Sequence, residues 1–383
     1  MTLLNPLRKL LVICVLCSVS VGGIAHSRLN KYSHKTNPNS LRIFFPNFHD
    51  EVTRSLAISL GKLGHTLVLP GIGCHPKDEN LGTRITPDYL LEKSLEGYAN
   101  IEIAEGKDLF LNPPDIVIVW ANNNLPRILK PNNLSKKKRI EFVYFTGNGS
   151  ELRHKTGVKH ALITDGTSEA DAVATGVEHY IKWIPWIDFD DTLKFIDCET
   201  SNSIGSYIRA YENRFPEAAD YFQIFTLGCT DYIGSDLKFI QYDTHIDGFD
   251  TSPKGNGIMN RKDFIARMRK HVATLHIRPF EPFGYSVLES ISIGRPVFLY
   301  RPYCEGNTRL KRWCIEGETA FYFSTQEEFN EKVARYLGLP EAERKELQQK
   351  CALRVRSIIN NELETNRLGA FLQRVVQQRC RRR

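Results

Sequence analysis

The chain has no Cys-x2-Cys pair among the seven cysteines outside its N-terminal apolar stretch, at positions 74, 198, 229, 304, 314, 351 and 380. A structural zinc site ordinarily needs such close pairs, so the sequence argues against one. The total of nine cysteines is odd, which argues against a complete disulfide set. No internal repeat or low-complexity tract interrupts the sequence. No apolar run reaches the roughly 20 residues of a typical membrane-spanning helix. Charge of either sign is not in large excess, with a formal net charge of +7 over 383 residues. That balance is too mild to point to nucleic acid, and it suits anionic small molecules or the surface of an acidic membrane.

What is present is globular in composition, 42% hydrophobic and 25% charged, and long enough for two domains of ordinary size. Arg8-Lys9 followed by LLVICVLCSVSVGGIA fits the apolar core of a signal peptide ending in small residues, and equally a short uncleaved signal anchor. Residues 1–29 are therefore expected to direct the chain to a membrane or the secretory pathway, and the polar stretch 30–40 to be a linker. Basic residues flank the apolar run on both sides, which leaves its orientation open. Asn133-Leu-Ser135 and Asn148-Gly-Ser150 spell glycosylation sequons, triplets that also arise by chance. The basic end Arg379-Cys-Arg-Arg-Arg383 reads as a solvated tail, with a contact to acidic lipid as the alternative.

Beyond the linker, short apolar runs alternate with helical stripes. Leu41–Phe45 reads as a strand, 50–64 as a helix with Val52, Leu56, Leu60 and Leu63 on one face, and Thr66–Leu69 as a second strand. This opening is a βαβ unit and implies a parallel sheet. Asp115–Trp120, Glu141–Phe145 and Ala161–Thr164 read as further strands, the last followed by a helix starting near Ser168. Ser203–Ile208 opens a second set of elements. Phe222–Leu227, Leu237–Gln241 and Ala273–Ile277 read as its strands, and 260–270, 326–337, 340–355 and 363–376 as its helices.

The most informative stretch is Glu281-Pro-Phe-Gly-Tyr-Ser-Val-Leu-Glu289, followed by Gly294-Arg-Pro296 and the apolar Val297–Tyr300. Tyr285 to Ile293 reads as a short helix, stopped by Gly294 and by Pro296. Backbone N–H groups around Phe283, Gly284 and Tyr285 would lie at the helix N-terminus, where phosphate is favoured, and Gly284 would let a ligand approach. Glu281 could accept hydrogen bonds from sugar hydroxyls and Glu289 from ribose hydroxyls. The competing reading is an ordinary amphipathic helix carrying two solvated glutamates.

This stretch resembles the Glu-x7-Glu motif of retaining family 4 glycosyltransferases. The opening βαβ unit with its Leu63-Gly64-His65 turn and the segment Ile315–Phe323 are similar to segments of the same family. The resemblance implies an α/β, GT-B fold: two doubly wound Rossmann-like domains facing across a cleft. On this reading 41–187 is the N-terminal acceptor domain and 188–355 the nucleotide-sugar donor domain, with 356–383 a closing helix and basic tail. It also implies transfer of a hexose, with retention, from a nucleoside diphosphate sugar to a hydroxyl of a glycan or lipid acceptor. Arg209 and Arg214, five positions apart, stand where the family often carries an Arg and a Lys directed at the diphosphate, and with Glu281 they are the candidate catalytic residues. Phe283, Gly284, Tyr285 and Glu289 are the candidate donor-binding residues. Neither a metal nor a cofactor is expected, since cations of the protein would meet the leaving diphosphate. Asp188-Phe-Asp190-Asp191 has the spelling of a metal-binding Asp-x-Asp but falls at the domain junction.

The chain departs from the family pattern in three places. Pro46-Asn47-Phe48-His49 replaces a Gly-Gly loop, and Thr146-Gly147-Asn148 stands where a His is usual, with His49 and His154 as substitutes. Ile184-Pro185-Trp186-Ile187-Asp188 matches the interdomain segment in part, with Trp186 in place of Asn-Gly. Two other readings therefore stand beside a transferase: a GT-B relative without transfer activity, and a two-lobed secreted or periplasmic binding protein.

Overall fold

Strands with both faces covered read as continuous apolar runs, and the central strands of the two described sheets are of this kind. A computed structural model describes residues 40–46, 50–70, 100–104, 109, 111–120, 140–146, 152, 157–163, 172–190, 193–198, 202–208, 215–242, 261–279, 281, 283–306 and 310–381. The targeting segment, the linker to residue 39, both sequons, the helix start near Ser168, and Asn47, His49, Gly147, Asn148, His154 and Asp191 lie outside these residues. Among the described residues no helix is long and apolar enough to cross a membrane.

Sheet A contains β1 (Arg42–Phe44), β2 (Thr66–Pro70), β3 (Ile101–Ala104), β4 (Ile116–Trp120), β5 (Glu141–Thr146), β6 (His160–Ile163) and β7 (His179–Lys182). All are parallel, in the order β3-β2-β1-β4-β5-β6-β7. This is the doubly wound order 3-2-1-4-5-6 with one strand added. Side chains alternate across it: Ile43, Leu67, Ile116 and Val143 face one layer, while Phe44, Val68 and Val117 face the other. The first layer is completed by α1 (Asp50–Lys62) and by the C-terminal helix α9 (Asn361–Arg381), which contributes Leu368, Phe371, Leu372 and Val375.

Sheet B contains β8 (Ser203–Tyr207), β9 (Lys238–Tyr242), β10 (Ala273–His276), β11 (Val297–Tyr300) and β12 (Ala320–Phe323), also all parallel. Its order is β12-β11-β10-β8-β9. Counted within the sheet this is 2-1-3-4-5, so the winding reverses between β8 and β10. The helices of this half are α2 (Pro216–Ile233), α3 (Arg261–Arg269), α4 (Tyr285–Ser292), the short α5 (Arg301–Cys304) and α6 (Leu310–Trp313), α7 (Gln326–Leu337) and α8 (Glu341–Ile358). One face of the sheet packs with α3, α4 and α8, and the other with α2 and α7.

One sequence reading is corrected here, and two strands were not anticipated. Phe222–Leu227, expected as a strand, lies inside α2; Pro216 opens that helix, and its buried residues Ala218, Ala219, Phe225, Thr226 and Cys229 recur at helical spacing. Strand β3 had no counterpart in the sequence reading. His179–Lys182, just before the expected interdomain segment Ile184–Asp188, forms the edge strand β7 beside β6 and likewise had no counterpart as a strand.

The connector from β7 to β8 is pinned where it leaves sheet A. Ile184 N–H donates to Glu364 Oε2 at 3.1 Å, and Asn361 brackets Ile187 through both its backbone groups, at 3.0 and 2.6 Å. Trp186, the departure from the family segment, has its carbonyl bonded by Ser55 Oγ at 3.1 Å and its ring covered by Lys62 Nζ at 4.8 Å. Phe371, 1% exposed, is the deepest aromatic that α9 places on sheet A. Phe371→Ala should lower stability by about 3–5 kcal/mol through lost burial and the cavity left behind. Urea denaturation checks this, and a loss below about 1 kcal/mol would contradict the packing described.

Candidate functional site

β10 ends at His276, and the chain leaves the sheet through Ile277, Arg278 and Pro279 to reach Glu281. Three groups converge on the Glu281 carboxylate. Oε1 accepts the backbone N–H of Gly284 at 2.9 Å. Oε2 accepts from Arg278 Nη1 at 3.0 Å and lies 3.2 Å from Nε2 of the fully buried His276. Burial alone would push this carboxyl up, but the Arg278 charge, the His276 ring and the Gly284 amide outweigh it and hold it down at about 2. Glu281 is thus an ionised, 9% exposed carboxylate with both oxygens directed at groups of its own chain. A carboxylate held this acidic is unsuited to act as a general acid at neutral pH.

The glycine that follows has two reasons to be glycine. Gly284 is the N-cap of α4 in the left-handed conformation, φ 77° and ψ 40°, and a Cβ there would meet Leu310 Cδ2 at 2.8 Å. Its N–H turns inward to Glu281, so it does not lie open at the helix start for a phosphate, as the sequence reading expected. The first intrahelical bond runs from Leu288 N to Gly284 O at 2.8 Å. The amides of Ser286 and Val287 therefore have no partner within the helix, and Gly284 supplies no side-chain cap. Tyr285 and Ser286 are half-buried. The Phe283 ring, 5% exposed, lies 4.3 Å from that of Tyr285 and 5.5 Å from that of Trp313, which fixes the loop from its apolar side.

Glu289 is 2% exposed, on the second turn of α4 and inside its buried run Val287–Ser292. Neither glutamate is therefore a solvated surface carboxylate, as the ordinary amphipathic-helix reading requires. At the other end of α4, two arginines take up carbonyls. Arg356 donates to Ser292 O at 3.0 Å, and Arg295, fully buried, to Ile293 O at 2.9 Å. The same guanidiniums hold the connector: Arg356 reaches Phe189 O and Leu193 O at 2.9 and 3.1 Å, and Arg295 reaches Ile196 O at 3.0 Å. Cations at a helix C-terminus complement its dipole, which leaves the positive end of α4 at the edge of the sheet. Cys304 lies near this site, its thiol pushed up to about 12 by burial and by the Glu281 charge, so it is a neutral side chain rather than a thiolate nucleophile.

The motif thus sits just beyond the C-terminal end of β10, beside the point where the strand order of sheet B reverses. In open α/β sheets that position is where ligands bind. Neither a protein-family model nor any curated protein matches the sequence. Among solved structures, sucrose-phosphate synthase from Thermosynechococcus elongatus is similar with a TM-score of 0.58 and 10% identity, over 88% of this chain and 100% of that one. The Anabaena protein HepE in complex with UDP-glucose has a TM-score of 0.58 and 12% identity, over 87% and 99%. The catalytic domain of starch synthase IV from Arabidopsis thaliana, bound to ADP and acarbose, has a TM-score of 0.51 and 12% identity, over 88% and 100%. The fold resembles that of GT-B glycosyltransferases.

In this GT-B-like chain, Glu281, Phe283, Gly284, Tyr285 and Glu289 are gathered in one loop-helix unit. Arg209 and Arg214 lie outside the described residues, beyond the end of β8. Sequence reasoning missed Arg278 and His276, the two side chains that hold Glu281. The available signal was their closeness to the acid, His276 as the last residue of β10 and Arg278 two positions further on, five and three residues before Glu281.

The depressed acidity of Glu281 has a definite sign. Its folded value lies below the ordinary 4.5, so its stabilisation is complete above pH 4.5 and is lost as pH falls through about 2. Glu281→Gln should therefore destabilise the protein at pH 7, by on the order of 3 kcal/mol. The gap to the unmodified protein should narrow steadily as the pH is lowered toward 2. Urea midpoints of both proteins at pH 7 and at pH 3 check this; a gap that does not change with pH would contradict the clamp.

Proposed function

We propose that the chain is a glycosyltransferase that moves a hexose from a nucleoside diphosphate sugar to a hydroxyl of a glycan or lipid acceptor. The observation that carries the reading is the placement of the Glu281–Glu289 unit at the C-terminal edge of sheet B, beside the reversal of strand order. The positive end of α4 suits a diphosphate, whose negative charge grows as the sugar leaves. The similar structures that hold UDP-glucose, or ADP with acarbose, offer ligands of the same chemistry. On this reading Glu289 accepts from the donor's ribose hydroxyls, Arg209 and Arg214 meet the diphosphate, and the half built on sheet A receives the acceptor. Retention of configuration, independence from metal ions, and residence at a membrane or in the secretory pathway belong to the same proposal and rest on the motif and on the N-terminal apolar segment.

A second reading is a relative that binds the donor without transferring it. The inward commitment of Glu281 favours it, because a carboxylate occupied by its own chain is poorly placed to act on a sugar.

A thermal-shift and turnover panel of UDP-, ADP- and GDP-sugars separates these readings. Binding with release of the nucleoside diphosphate is the expected result, undiminished by EDTA. Binding without turnover would support the second reading, and binding of none would contradict both. Glu289→Ala should weaken the best donor by about tenfold or more, as loss of a charge-assisted hydrogen bond implies. Unchanged affinity in a calorimetric titration would rule out the ribose contact.

A further inference from the structure

The arginine beside the motif has more donors than its own chain uses. Arg278 stands two residues past the end of β10, with its side chain 18% exposed. Its guanidinium lies 5.1 Å from the centre of the Phe215 ring. Phe215 is the N-cap of α2, where the described chain resumes after β8. Arg278 thus links the exit of β10 to the start of α2, the helix that follows β8 in the chain, and β8 and β10 are the pair between which the sheet reverses. Of its five N–H donors, it makes one hydrogen bond among the described residues, Nη1 to Glu281 Oε2 at 3.0 Å. Its Nε is buried and has no acceptor. A buried donor without an acceptor is costly, and it marks a place where an acceptor would be stabilising.

Glu281 and the Phe215 ring fix the guanidinium plane without using up its fork, which matches paired phosphoryl oxygens. We infer that Arg278 is a binding residue for the diphosphate of the donor, and that Glu281 serves as its positioning residue rather than as a sugar ligand. This rests on the proposed transferase reading and changes the division of labour within it. The first acid of the motif faces inward, and the arginine three residues before it faces the ligand. The half-buried entry to α4 adds the amide of Ser286 to the same edge.

The test compares ligands that differ only in the diphosphate. Calorimetric affinities of UDP against uridine, and of ADP against adenosine, are measured for the unmodified protein and for Arg278→Gln, Arg278→Lys and Glu281→Gln. Arg278→Gln is expected to weaken whichever diphosphate binds by about tenfold to a hundredfold, with the matching nucleoside within about twofold. The retained nucleoside affinity shows that the variant is folded. Arg278→Lys should restore part of the loss, because it keeps the charge but not the fork. Glu281→Gln should show a smaller loss confined to the diphosphate, with nucleoside affinity kept. Equal loss of nucleoside and diphosphate in Arg278→Gln, or no loss of either, would overturn the inference while leaving the transferase reading intact. If the unmodified protein binds neither UDP nor ADP, the transferase reading fails and this inference fails with it.

Discussion

A carboxylate removed from water destabilises a fold unless charges and hydrogen bonds of that fold receive it, and Glu281 is received by three at once. The bond to Gly284 N–H sets the left-handed turn that opens α4, and the ion pair with Arg278 ties that turn to the end of β10. Breaking a buried pair by removing one partner typically costs about 3–5 kcal/mol, although the intact pair need contribute little net stability. The clamp therefore acts chiefly by fixing geometry. It ties the start of α4, and with it the amides there, to the end of β10.

The opposite end of the helix is held just as firmly, by Arg356 and Arg295 on the carbonyls of Ser292 and Ile293. These arginines also bond the connector at Phe189, Leu193 and Ile196, which in turn is pinned by Asn361 and Glu364 of α9. Helix α9 packs on sheet A. An unbroken series of hydrogen bonds and packed side chains thus runs from the site on sheet B to the core of the other half. The helix that opens the candidate site is also the one bound to the segment between the two sheets.

Much of this was legible in the sequence, and the failures have physical causes. Strands buried on both faces, such as Ile116–Trp120 and Val297–Tyr300, announce themselves as apolar runs bounded by proline or glycine. The edge strand His179–Lys182 does not, because one side of it faces solvent and tolerates histidine and lysine. Phe222–Leu227 is rich in β-favouring residues, yet Pro216 and the helical spacing of its buried positions prevail. The motif and its helix were readable down to the stop at Gly294. The direction in which Glu281 faces was not, since it depends on His276 at the strand end and Arg278 just past it, residues that give no sign of pairing with the acid until the turn at Gly284 brings the carboxylate back to them.

On the proposed transferase reading, α4, fixed at both ends, presents its first amides to an anionic donor. Amide hydrogen exchange read at Ser286 and Val287 tests it most directly, with and without saturating UDP or ADP, whichever binds. The account predicts that exchange at these two amides slows by tenfold or more on binding, while that of Gly284, already bonded to Glu281, changes little. Unchanged exchange at the helix start, with protection appearing elsewhere in the chain, would contradict it.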